Sequence, residues 1–68
     1  MNEELAKTFI DKTCVVYCNE ESLSGGRQGK VVEIVDKWLK LDEGKTGIRL
    51  VNLEYVSSIQ ILPEKYQK

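Results

Sequence analysis

Gly29-Lys30-Val31-Val32-Glu33-Ile34-Val35-Asp36-Lys37-Trp38-Leu39-Lys40-Leu41 reads as the central hairpin of a small β-barrel, and the rest of the chain is placed around it. Val31, Val32, Ile34 and Val35 make one long strand whose apolar positions switch parity partway, as happens where a strand bends and passes from one part of a barrel to another. Asp36-Lys37 is a short polar turn. Beyond it, Leu39 and Leu41 alternate with Trp38 and Lys40, so the second strand is half-buried and its tryptophan points outward.

Upstream, Asn19 to Gly26 collects turn residues and reads as a hairpin connection with a bulged return, because glycines near a strand start supply positive φ. Its spacing matches neither phosphate-binding glycine motif, and a strand follows it where a helix would be needed. Thr13 to Cys18 is a strand with Cys14, Val16 and Cys18 on one face and Val15 and Tyr17 on the other. Before it, Asn2 is an N-cap with Glu3 and Glu4 in the first turn. Leu5 and Phe9 then form the narrow apolar edge of a short helix, which with Ile10 must dock on the sheet because two turns are not stable alone.

Downstream, Asp42 to Gly47 is a second hairpin loop. Ile48 to Leu53 alternates Ile48, Leu50 and Asn52 against Arg49, Val51 and Leu53. Glu54-Tyr55 is a tight link, and Val56, Ile59 and Ile61 mark a last strand that ends before Pro63. Glu64 to Lys68 is a polar tail. The expected elements are a helix over about 2–10 and strands over about 13–18, 27–36, 38–42, 47–53 and 57–62, in a single domain spanning 1–68.

A 68-residue chain buries only about 60% of its unfolded surface, so its stability calls for a supplement. A disulfide does not supply it. Cys14 and Cys18 lie in one strand, about 13 Å apart at ~3.3 Å per residue, beyond bridging distance; they read as small apolar side chains of the core. Nor does a metal, since the chain has no histidine and two thiols do not complete a structural zinc site. Self-association remains. Met1 to Lys12 lacks the apolar run of a secretory signal, and no stretch is long enough to span a membrane. With unbridged thiols, the expected compartment is a reducing cytoplasm. The net charge of −1 counts against a strong polyphosphate binder but leaves room for a local basic patch.

One helix followed by five short strands, the second strongly bent, resembles the Sm-like small barrel. The first Sm motif is matched from Val15 to Leu41 by a strand, by Gly29 followed by Val31, and by Leu39-x-Leu41. Ile48 to Ile61 is similar to the other Sm motif, with Val51, Val56 and Ile59 at its apolar positions. The resemblance implies a mainly β chain, a short N-terminal helix before a five-stranded, bent antiparallel barrel. It also implies a ring in which the fourth strand of one subunit pairs with the fifth of the next. The family's uridine pocket is not matched: its loop is shortened here to Asp36-Lys37 before Trp38, Asn52-Leu53 replaces an Arg-Gly pair, and the Tyr-Lys-His signature of the Hfq type is absent. Gly26-Arg27-Gln28-Gly29-Lys30-Val31-Val32-Glu33-Ile34 also resembles a KOW motif, whose barrels act as monomeric modules on RNA or RNA polymerase.

Two functions are therefore expected. One is RNA binding by a homo-oligomeric ring, with Trp38 as a stacking surface and Lys37, Lys40, Arg49 and Asn52 around it. The other is a protein-interaction or scaffold module without nucleic acid, in which Trp38 belongs to an interface. No catalytic set can be named: there is no histidine, no nucleophile beside a base, and Glu20-Glu21 and Asp42-Glu43 are acids in turns where solvated charge is expected. No enzyme activity, cofactor, metal, small-molecule substrate or membrane association is expected.

Overall fold

Residues 2–19 and 26–67 are described by the computed structural model. Within them run α1 (Glu3–Ala6), β1 (Thr13–Cys18), β2 (Arg27–Val35), β3 (Trp38–Asp42), β4 (Ile48–Asn52) and β5 (Val56–Ile61). The strands form one antiparallel sheet in the order β4-β3-β2-β1-β5. The chain is thus mainly β with a short N-terminal helix, as expected, and β1 and β3 have the expected bounds. No ladder joins β4 to β5 among the described residues, so the sheet is open and barrel closure is not observed. Of the expected connection from Asn19 to Gly26, residues 20–25 lie outside the described residues, and with them the Glu20-Glu21 pair. Gly26 itself has φ +78°.

The parity switch in β2 is a bulge. Val31 pairs with Leu41 and Glu33 with Lys40, leaving Val32 as the extra residue. Its physical effect is to let Val31 and Ile34 both turn into the core from one strand while the strand bends. The turn at Asp36-Lys37 closes the β2–β3 hairpin with Asp36 at φ 54°.

The N-terminus differs from its expected form. Asn2 does cap the helix, its Oδ1 accepting from the Leu5 amide at 3.2 Å. After Ala6, however, the chain tightens into a 3₁₀ turn over Lys7–Phe9. With three residues per turn, Ala6 and Phe9 share a face where Leu5 and Phe9 were expected to. Ala6 is fully buried, Phe9 and Ile10 pack on the core, and Leu5 is 61% exposed. The following segment is tied to the bulge: the Asp11 amide donates to the Val31 carbonyl and the Val31 amide to that of Lys12.

Cys14, Val16 and Cys18 of β1 face the core, with Val31, Ile34, Leu39, Leu41, Val51, Leu53 and Val56. Gly29 of β2 lies tight against the end of β3. A Cβ there would lie 2.6 Å from the Asp42 carbonyl oxygen and 3.0 Å from Leu41 Cγ. The tail is not simply a polar extension. A 3₁₀ turn at Glu64–Tyr66 brings Gln67 back to β1, where its Oε1 accepts from the Thr13 amide at 2.6 Å. Its Nε2 donates to the carbonyls of Thr13 and Leu62. The side-chain amide thus acts as a one-residue strand against the start of β1.

Candidate functional site

The outer face of β2, β3 and β4 collects the exposed apolar residues around Trp38. Direct cross-strand partners share a face, so the registers Val35 with Trp38, Trp38 with Asn52, Lys40 with Leu50 and Asp42 with Ile48 place all of these on the side opposite the core. Trp38 is 48% exposed, and Leu50 and Ile48 are each 59% exposed. Between them lies a shallow hollow of about 100 Å³ lined by Glu33, Val35, Trp38, Lys40 and Leu50.

The hydrophobic floor is framed by ion pairs. Lys40 Nζ lies 3.4 Å from Glu33 Oε1, and Lys37 Nζ lies 3.3 Å from Glu54 Oε1. Both lysines expected to flank Trp38 are therefore matched by a carboxylate, and the positive potential a phosphate backbone needs is largely cancelled there. All four side chains remain solvated, so these pairs set local charge more than stability.

The structure does not bring Arg49 to this cluster. Arg49 pairs in register with Leu41, whose side chain is fully buried, so it projects to the opposite face. Its Nε donates to Glu43 Oε2 at 2.9 Å, and Thr46 Oγ1 lies 3.2 Å from the other carboxylate oxygen. Glu43, expected as solvated turn charge, has a side chain only 6% exposed and serves to fix the β3–β4 loop. Asn52 is on the Trp38 face, but its Oδ1 accepts from the Glu54 amide and caps the 3₁₀ turn at Leu53–Tyr55. Of the five expected residues, Lys37, Trp38, Lys40 and Asn52 are thus gathered and Arg49 is not. The residues that sequence reasoning missed are Val35, Leu50 and Glu33; alternation marked Leu50 as sharing a face with Ile48, but only the register across β3 shows it beside Trp38.

Elsewhere, burial pushes the Cys14 thiol up from its ordinary value, with nearby Lys12 partly opposing. Among the described residues no group of three or more Cys, Asp or Glu side chains could hold a metal ion, and no helix is long and apolar enough to cross a membrane. Comparison with protein-family models, curated proteins and solved structures finds no match to this chain.

Proposed function

We propose that this chain is a self-assembling interaction module built on an Sm-like sheet, its copies joined by pairing β4 of one subunit with β5 of the next. The observation that carries the reading is the unguarded edge at β5. Val56-Ser57-Ser58-Ile59-Gln60-Ile61 contains no charge and no proline, and among the described residues it is laddered to β1 alone. Edges are normally blunted by such residues because unpaired N–H and C=O groups recruit another strand. At the other end of the sheet, β4 carries exposed Ile48 and Leu50. Pairing the two ends would supply the burial that a chain of this length lacks.

Molar mass from light scattering tests the reading. The expected result is a species of several chains, reduced in size by Ile61→Lys, which places a charge on the β5 edge, while melting of the separated subunit stays cooperative. A wild-type monomer would overturn it. Because Trp38 stands half-exposed beside Lys37 and Lys40, single-stranded RNA binding is the second reading. Its signature is salt-dependent quenching of Trp38 by short RNA, and no binding at low salt would rule it out.

A further inference from the structure

We infer that successive copies of this chain pair antiparallel with their sheet faces reversed, so that Leu50 and Ile48 on the outer face of β4 complete the core face of the next copy's β5 beside Ile59 and Ile61. The inference rests on the reading that these two edges join, and it fixes their direction and register. The bonds inside one copy determine which backbone groups each edge offers. Along a strand, amides and carbonyls point alternately to one side and the other, in step with the side chains. The Leu53 amide donates to the Lys37 carbonyl, toward β3. Counting back by twos, Val51 and Arg49 bond the same way, opposite Leu39 and Leu41. Leu50 and Ile48 therefore direct their backbone groups out of the sheet, and their side chains lie on the outer face. On β5 the Leu62 amide donates to the Thr13 carbonyl, so Gln60 and Ser58 bond toward β1, opposite Val15 and Tyr17. Ile59 and Ile61 direct theirs outward, and their side chains share the core face with Val16 and Cys14.

Residues that exchange both hydrogen bonds across an antiparallel ladder carry their side chains on one face. An antiparallel junction thus makes the outer face of β4 continuous with the core face of the next β5. Within one copy the order β4-β3-β2-β1-β5 is antiparallel at every step, so β4 and β5 run the same way and the next copy must be turned over. A copy left unturned would pair in parallel and set Leu50 beside Gln60. The side chains select the turned arrangement. Ile61 faces the core yet is 45% exposed, and Ile59 is only partly buried, so the core is bare along its β5 margin. Ile48 and Leu50 are the apolar residues that β4 exposes. Setting Leu50 opposite Ile59 also sets Ile48 opposite Ile61, which matches all four. A slip of two residues sets Leu50 opposite Ser57, or Ile59 opposite Asn52, and loses a match. The exposed apolar residues of β4 and the bare margin of β5 are then two halves of one contact, and each copy's core is finished by its neighbour.

Paired cysteines read the register. Partners in such a ladder have Cα atoms about 5.5 Å apart, inside the ~4.4–6.8 Å that a disulfide spans. Three double variants of the full chain are to be oxidised: Leu50→Cys with Ile59→Cys, with Gln60→Cys and with Ile61→Cys. Wild type is the control, since Cys14 and Cys18 are buried. The first variant is expected to give a ladder of covalently joined chains on a denaturing gel, up to the size that light scattering finds before oxidation. Peptide mapping should place the bond between positions 50 and 59 of different chains, while the other two variants stay single chains. Ile48→Cys with Ile61→Cys belongs to the same register and should behave like the first, which keeps the test open if either variant dissociates. A multi-chain assembly that cross-links through position 60, or through 50 and 61, would overturn the inference and leave self-assembly standing. So would one in which neither matched pair forms a bond. A wild-type monomer would overturn both.

Discussion

Replacing Gly29 by alanine adds one methyl group against the end of β3, and the structure fixes what it meets. The new carbon would lie 2.6 Å from the Asp42 carbonyl oxygen, 3.1 Å from that carbonyl's carbon and 3.0 Å from Leu41 Cγ. The first two are backbone atoms of β3, which is laddered on both sides, and Leu41 is fully buried, so no flexible tip can swing away. Overpacking of this kind costs about 1–3 kcal/mol. Removing a glycine stiffens the unfolded chain and offsets about 0.4–1 kcal/mol of that. The expected net loss is therefore about 1–2 kcal/mol, which for a domain this small lowers the melting temperature by roughly 5–15 °C. Thermal and urea unfolding followed by circular dichroism measures it, with Gln28→Ala, an exposed neighbour in β2, as the control expected to change little. A Gly29→Ala protein that melts with the wild type would refute the reasoning, because it would mean that β3 yields at Asp42 without cost.

Gln67→Ala removes three hydrogen bonds, two to Thr13 at the start of β1 and one to the Leu62 carbonyl just beyond β5, and since water replaces part of each, the expected loss is about 1–2 kcal/mol. Amide hydrogen exchange should show Thr13 losing protection before the rest of β1, and unchanged exchange there would show that the clamp contributes nothing. The raised Cys14 thiol gives a pH dependence of definite sign. Above the ordinary thiol value of 9.0 the unfolded chain loses this proton while the folded chain keeps it, so stability is whole below that pH and declines as pH rises toward the folded value. Denaturation midpoints measured across that range should fall for the wild type and fall less for Cys14→Ala; equal slopes would count against burial as the cause.

The local pattern was legible without the structure. Leu39 and Leu41 inward with Trp38 outward, the cysteines alternating with Val16, and the switch of parity in β2 are period-two facts, and the sheet keeps all of them. Register was not legible. Arg49 is on the strand next to Trp38, but its position and face are set by the loop at Glu43 to Gly47, whose 3₁₀ turn pairs Trp38 with Asn52 and puts Arg49 three residues further along, opposite Leu41. A slip of one residue there would exchange every side chain of β4 between the two faces. The N-terminal helix failed similarly, since nothing in residues 2–10 announces the change from 3.6 to three residues per turn that buries Ala6 and leaves Leu5 in solvent. Gln67 carried no signal at all: an amide in a polar tail has the same sequence whether it is hydrated or clamped to Thr13.

The bulge at Val32 has a consequence for how this chain can change. Deleting that single residue would leave Lys30 opposite Asp42, Val31 opposite Leu41, Glu33 opposite Lys40 and Ile34 opposite Leu39, each pair as it is now. By pattern the shortened strand would be the better one, alternating without a fault from Lys30 to Val35. Yet the extra residue is what bends the strand, and a flatter sheet would draw β4 and the neighbouring Leu53 away from the core that β1 fills from the other side. Length and curvature are encoded separately here: the pairing tolerates the loss of a residue that the shape does not. Sequence drift in this hairpin should therefore preserve the count of residues between Gly29 and Asp36 more strictly than their identities.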